Sequence, residues 1–379
     1  MAQQLKTDRI LFYTIIAMVC FGLVIVFSAS SATAELKFSS QYYFIVRQLA
    51  WAVVSFFALL WFKRTDYRRF HSALWAFVPL GIVVSMLVIA YFSDARRHRW
   101  IQVGHFSLQP SEFAKPALII FLAYFITRRL RAINDRHTLA PAVLAMGVLA
   151  TGVVIADLGT AVVLLATAGL LFYVAGLDRK YLAFALAGGA VLAIGAVVAK
   201  PYRLGRIIAY ADPSYAVLDR VNPGGQVKAY IQSSLSTRDP GYQARQSRIA
   251  VGAGGTLGAG LMQSKQKLLY LPEAHNDFIF AVVGEELGLW GTTGVLLGFF
   301  IILWRGLRLF YVAPDDFGRY LALGVTVSIT VQALMNMSIV LDIGPTKGIP
   351  LPMISYGGSS LLSTLISLGL LLSVSEHSG

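Results

Sequence analysis

The chain has 379 residues, of which 56% are hydrophobic and 13% charged, with a formal net charge of +13. Apolar runs that approach or exceed the ~20 residues needed to cross a bilayer exclude a soluble globular domain. Nucleic-acid binding is excluded as well, because no soluble basic domain exists to hold it. Ten apolar spans follow in chain order, at about 10–29, 43–62, 72–92, 111–127, 139–156, 159–176, 181–199, 277–303, 318–341 and 352–374. The expected fold is an all-α polytopic membrane protein of about ten transmembrane helices, with one large extracytoplasmic loop at 200–276.

Basic residues set the orientation. With the N-terminus cytoplasmic, fifteen of the 32 Lys and Arg lie on the inner side, among them Lys63, Arg64, Arg128, Arg129 and Arg305, as the positive-inside bias requires. Both termini are then cytoplasmic. Arg96, Arg97 and Arg99, in the third outer loop, break the bias; an anionic ligand or a tolerated exception accounts for them. Lys6 and Arg9, an apolar run and Ala32-Thr33-Ala34 imitate a cleaved secretory signal. The run is about 20 residues, longer than the 7–15 of a signal core, so a retained first helix is expected. Cys20 is the only cysteine, which rules out an intramolecular disulfide, and the histidines show no metal-binding spacing. The chain stops five residues after the last expected span, leaving no cytoplasmic tail for partners.

Polar residues inside or beside apolar spans mark candidate chemistry. Gln109-Pro110-Ser111-Glu112-Phe113-Ala114-Lys115 opens the fourth span. Ser111 can cap it, Glu112 suits the positive end of its dipole, and Glu112 and Lys115, three apart, can pair. Asp157 sits between the fifth and sixth spans and could join them; a structural ion-pair network and a substrate role are both open for this group. In the outer loop, Gly252–Gly260 (GAGGTLGAG) superficially suggests a phosphate loop, but Leu257 stands where a dinucleotide fingerprint needs Gly. A flexible or tightly turned loop fits better. The rest of that loop could lie along the membrane as amphipathic helices. No Walker motif is present.

Leu271–Gly288 (LPEAHNDFIFAVVGEELG) places ionisable groups at the mouth and first turns of the eighth span. If one helix carries them all, Glu285 and Glu286 sit roughly 12–14 Å deeper than Asp277. Finally, Gly344–Ser360 (GPTKGIPLPMISYGGSS) breaks the helix pattern, so its backbone must face water, protein or a cavity. Lys347 offers a cation, and Ser355, Tyr356, Ser359 and Ser360 offer hydroxyls, a set suited to a sugar or a pyrophosphate.

QPSEFAK, ADLGT, QSRIAVGAGG with LPEAHNDFIFAVVGEELG, and PTKGIPLPMISYGGSS resemble the signature segments of the SEDS proteins (shape, elongation, division and sporulation), which include FtsW and RodA; LPEAHNDF and the last segment look closer to FtsW. The resemblance covers nearly the whole chain. It implies a GT-C-like fold and a peptidoglycan glycosyltransferase that polymerises lipid II, with Asp277 as the catalytic base. It also implies that Arg99, Glu112, Lys115, Lys347, Ser355 and Ser359 serve substrate binding, and that Asp157, Glu285 and Glu286 serve as ion-pair or cavity residues. A divalent cation (Mg or Mn) without an organic cofactor is implied, as is a class B penicillin-binding protein as partner among other divisome or elongasome proteins. A lipid II flippase is the alternative, although no internal repeat supports alternating access. The Ala95-Arg96-Arg97-His98 spelling before Arg99-Trp100 departs from the family pattern, and about twenty extra residues fall between Asp212-Pro213 and Asp239-Pro240-Gly241-Tyr242.

Overall fold

The structure is a computed structural model that describes residues 7–94, 98–103, 106–199, 201–212, 220, 225–226, 241–268, 270–344 and 348–377. Lys347, Arg96, Arg97 and nearly all of the extra segment after Asp212 lie outside the described residues. The helices are α1 (Arg9–Phe38), α2 (Tyr43–Arg64), α3 (Ala73–Ser93), α4 (Pro110–Arg129), α5 (Arg136–Ala156), α6 (Leu158–Val174), α7 (Arg179–Val198), α8 (Pro201–Ala211), α9 (Tyr242–Gly254), α10 (Ile279–Val312), α11 (Asp316–Val340) and α12 (Gly358–His377). A small antiparallel hairpin, β1 (Ile101–Val103) with β2 (Phe106–Leu108), precedes α4. Among the described residues eight helices are long and apolar enough to cross a membrane. With the 17-residue α6 and with α4, whose apolar body carries the Glu112–Lys115 pair, they make ten.

The core sits around α4, α11 and α12, whose faces are buried nearly all round, whereas α7 buries none of its side chains. Small residues explain the close approach of α12 to α2. A Cβ on Gly369 would press on the Leu59 carbonyl and Phe62, and one on Gly358 would overlap the Trp51 ring. Packing through Gly and Ser is what brings helices together where lipid removes the hydrophobic drive. At one end of the bundle Asp8 pairs with Arg305 (2.5 Å), the Asp8 N–H donates to Ser375 Oγ (2.9 Å), and Lys63 pairs with Glu376 (3.2 Å). Residues 8 and 375 therefore lie on the same side of the bundle.

Three elements differ from expectation. α1 runs on as helix past the expected end at residue 29 to Phe38, capped by Ser39 in the left-handed region, which lifts its last turns about 13 Å beyond the apolar span. The last helix begins at Gly358, because Ile349–Gly357 lies in irregular backbone. α10 is broken at Gly288 (φ 63°, ψ −152°). Such a break orphans carbonyls that a membrane helix must satisfy internally. The glycine-rich piece after α9 does this: Ala259 N–H donates to Glu285 O (2.9 Å), Gly260 N–H to Glu286 O (3.0 Å), and Leu289 N–H reaches Gly255 O (3.0 Å). That piece is a docked, tightly turned segment and not a flexible one.

Gly258, at φ +82°, lies against the Glu286 carbonyl with no room for a Cβ. Gly258→Val is expected to strain the backbone and undock this segment, costing roughly 1–3 kcal/mol. Thermal unfolding in detergent checks it, a midpoint unchanged from wild type being the contrary result.

Candidate functional site

Asp277 is not on α10. It lies in the turn just ahead of it, outside the membrane-crossing helix, so the expected span at 277–303 starts two residues later, at Ile279. Glu285 and Glu286 lie before the Gly288 break and meet outer-loop residues. The single-helix depth estimate fails because α10 starts only at Ile279, so Asp277 and the two glutamates do not share one helix; both carboxylates are held by residues 264–267.

The Asp277 segment is held by the irregular stretch before α12. Tyr356 N–H donates to His275 O (3.0 Å) and Ser355 Oγ to Asn276 O (2.6 Å). Asn336 Nδ2, from α11, donates to both Asp277 O (2.8 Å) and Ile349 O (2.7 Å). Gly348 passes so close that a Cβ there would press on Asp277 Oδ2. Gln48 on α2 completes the clamp, donating to Ser355 O (3.3 Å) and accepting from Gly357 N–H (3.1 Å). His275 is stacked among Phe44 and Tyr356, and burial holds its imidazole below the usual range.

A second cluster joins the other motifs to this one. Asp157 caps α6 through Gly159 N–H (2.9 Å), accepts from Thr160 (2.9 Å) and pairs with Arg99 (3.2 Å). With its amide oxygen turned toward Arg99, Gln109 accepts from Nε and a terminal guanidinium nitrogen at 3.1 Å each. Ser359 Oγ accepts from Gln109 N–H (3.0 Å), and Gly159 abuts Ile349. Deeper, Lys115 pairs with Glu112 (2.8 Å) and donates to Gln332 Oε1 (2.6 Å), while Gln332 Nε2 donates to Pro350 O (2.8 Å). Glu112, Lys115, Ser355 and Ser359 are thus brought to one network, but their polar atoms are committed to protein partners and all four side chains are buried.

Asp277 is different. Among the described residues its carboxylate oxygens take no hydrogen bond or ion pair, and the side chain is only half-buried. Burial pushes its carboxyl up to about 7, with Glu273 and Asp157 pushing the same way and Arg99 and Arg206 opposing. A carboxyl in that range can exchange a proton near neutral pH.

Glu285 and Glu286 build a separate knot. Glu286 pairs with Lys267 (2.7 Å) and accepts from Ser28 Oγ (2.6 Å), and Glu285 accepts from Ser264 Oγ (2.5 Å) and Lys265 N–H (2.8 Å). A cavity of about 430 Å³ lined by Ser31, Glu35, Gln41 and Lys267 lies beside this knot, away from Asp277. Among the described residues no three His, Cys, Asp or Glu side chains converge as a metal cage. Gln48, Gln332 and Asn336 escaped the sequence reading, because a lone amide on an apolar helix carries no spacing signal. Their only trace was polarity within buried faces.

A family model described as cell cycle protein, for FtsW, RodA and SpoVE, matches residues 8–379. Stage V sporulation protein E of Bacillus subtilis is 36% identical over 381 residues, covering 98% of this chain and 97% of that protein. A probable peptidoglycan glycosyltransferase FtsW of Trichlorobacter lovleyi is 39% identical over 382 residues, covering 97% and 93%. A solved structure described as structural coordination of polymerization and crosslinking by a peptidoglycan synthase complex superposes with a TM-score of 0.74 at 25% identity over 98% of both chains. The rod shape determining protein RodA of Thermus thermophilus shares the fold at a TM-score of 0.68 and 23% identity, covering 98% and 97%.

Lys267 and Glu286 are both buried, at 4% and 0% side-chain exposure. Lys267→Met is expected to leave an uncompensated buried carboxylate and to cost about 3–5 kcal/mol, whereas the double change with Glu286→Leu recovers most of it. A double-mutant cycle of detergent unfolding checks this; additive losses would contradict it.

Proposed function

The chain belongs to the family of FtsW, RodA and SpoVE proteins, and on that premise we infer that it is an FtsW-like peptidoglycan glycosyltransferase acting in bacterial cell-wall synthesis. The observation that carries the chemical reading is the Asp277 carboxylate, without hydrogen bond or ion pair among the described residues, half-buried and lifted by burial to about 7. Lipid II is the substrate. Asp277 accepts the proton of a GlcNAc 4-hydroxyl as that oxygen bonds to the anomeric carbon of a MurNAc. The bond from that carbon to undecaprenyl pyrophosphate breaks with inversion, giving a β-linked strand. Arg99, partly exposed, supplies positive charge for the departing pyrophosphate.

A divalent cation fits only as a companion of the substrate. The described residues provide no protein cage, and a magnesium ion bound by one carboxylate plus phosphate oxygens is a common arrangement. No step is routed through it. The amide network from Glu112 to Ser359 acts by holding the two loop segments in register. The membrane is the bacterial inner membrane, with residues 8 and 375 on the cytoplasmic side and Asp277 outside. The partner is a class B penicillin-binding protein, in line with the synthase complex that shares the fold, together with other divisome or elongasome proteins.

Asp277→Asn is expected to lower polymerisation by about 10²–10⁴-fold with little change in folding. Gel analysis of strands made from lipid II by the purified protein, with and without its transpeptidase, checks it; polymer from the variant at the wild-type rate would reject the base. A carboxyl raised to about 7 is protonated, and inactive as a base, below that pH. The wild-type rate is therefore expected to rise through about pH 7 and level off above it. A flat profile across that range would contradict the assignment.

A further inference from the structure

The end of the bundle opposite Asp277 holds its positive charge in two different ways. α4 and α12 start together, with Gln109 N–H on Ser359 Oγ, and are both 20 residues long, so the end of α4 at Arg129 shares the side of Asp8 and Arg305. Around α1, α2, α10, α11 and α12, the residues Lys63, Arg68, Arg305 and Arg319 each meet a carboxylate, those of Glu376, Asp315, Asp8 and Asp316. Across α4 to α7 the arrangement is reversed. Arg129, Arg131, Arg136 and Arg179 are exposed, and among the described residues their guanidinium groups have no hydrogen bond or ion pair. The two carboxylates nearby are engaged elsewhere: Asp135 accepts from Thr138 N–H (3.0 Å) and Asp178 pairs with Lys180 (3.1 Å).

One side chain gathers these arginines. Asn134 Nδ2 donates to Gly176 O (3.1 Å) and Asn134 Oδ1 accepts from Asp178 N–H (2.7 Å), which staples the α4–α5 turn to the α6–α7 turn. Ile133 and Leu177 beside the staple are buried, so it rests on anchored backbone. Arg136 is two residues from Asn134 and Arg179 follows Asp178, which keeps their Cα atoms within about 16 Å of each other. The same two arginines open α5 and α7, which touch and are both long and apolar enough to cross a membrane, so they stand at the bilayer boundary. About one to two turns further in, Val143 and Leu144 of α5 and Phe184 and Leu186 of α7 are exposed. One ligand answers both features, since guanidinium forks take phosphate oxygens two at a time and acyl chains cover apolar faces. We propose that the stapled turns bind the phosphodiester headgroup of an anionic phospholipid in the leaflet opposite Asp277, with its acyl chains along α5 and α7. A general basic bias accounts for arginines on this side, but not for a staple that collects the unpaired ones over two lipid-facing helices.

The purified full chain in detergent is titrated with phosphatidylglycerol and, as a zwitterionic control of the same acyl chains, with phosphatidylcholine, and bound lipid is read by native mass spectrometry. Arg136→Gln/Arg179→Gln is expected to weaken phosphatidylglycerol binding about 10–30-fold and to leave phosphatidylcholine binding unchanged. Arg64→Gln/Arg69→Gln removes two exposed arginines from the other part of the same side and is expected to change binding by less than about threefold. Asn134→Ala keeps every charge but opens the staple, and is expected to cost about threefold or more through lost preorganisation. Equal losses in the two arginine pairs would reduce the effect to general surface charge and overturn the proposal. So would phosphatidylglycerol binding indistinguishable from wild type in Arg136→Gln/Arg179→Gln or in Asn134→Ala, or a matching loss for phosphatidylcholine. Displacement of the lipid by glycerol 3-phosphate or by a polyglutamate peptide, at the affinity of the lipid or better, overturns the lipid assignment in favour of a free phosphate or an acidic protein. If the glutamine pair does not fold, Arg136→Lys/Arg179→Lys, which keeps the charge without the fork, is expected to lose about threefold and carries the same test.

Discussion

One side-chain amide spans a gap that no helix closes. Asn336 donates to the carbonyls of Asp277 and Ile349 together, two segments that are irregular and lie at the edge of a membrane. Backbone of that kind persists at such depth only where protein satisfies it. Gln332 repeats the arrangement one turn earlier on α11, with Pro350 O on one side and Lys115 on the other. The Glu112–Lys115 pair is in turn positioned by Ser363 of α12, which donates to Glu112 O (2.6 Å). The placement of Asp277 thus depends on a chain of polar contacts through three buried helices.

The same chain sorts the charges by task. Lys115, Lys267 and Arg99 each meet a carboxylate within 3.2 Å, so their fields are largely cancelled locally. Among the described residues the Asp277 carboxylate has no such partner, and a charge left unpaired beside a low-dielectric wall acts strongly on whatever approaches it.

Much of the fold was legible because apolar runs separated by basic turns leave little choice of class. Asp277 was legible too, since a carboxylate at the mouth of an apolar helix is rare enough to notice. The break at Gly288 was not. Gly occurs freely in membrane helices, and only its backbone contact with Gly255–Gly260 shows that this one changes direction. For the same reason the glycine-rich segment looked loose when it is docked. The amides Gln48, Gln332 and Asn336 were silent because they reach backbone carbonyls scattered over the chain.

α12 is made after α2, α4 and α11, on which it packs, and is among the most enclosed helices. Its serines supply the partners of groups laid down long before, including Ser359 for Gln109 N–H and Ser373 for Thr65 O. Since synthesis proceeds from the N-terminus at about 5–20 residues per second, the earlier helices wait in the bilayer with those positions unfilled until residue 358 and beyond emerge. The centre of the bundle is therefore closed only by α12, and a ribosome that stalls before it leaves an assembly with a seam where that centre should be.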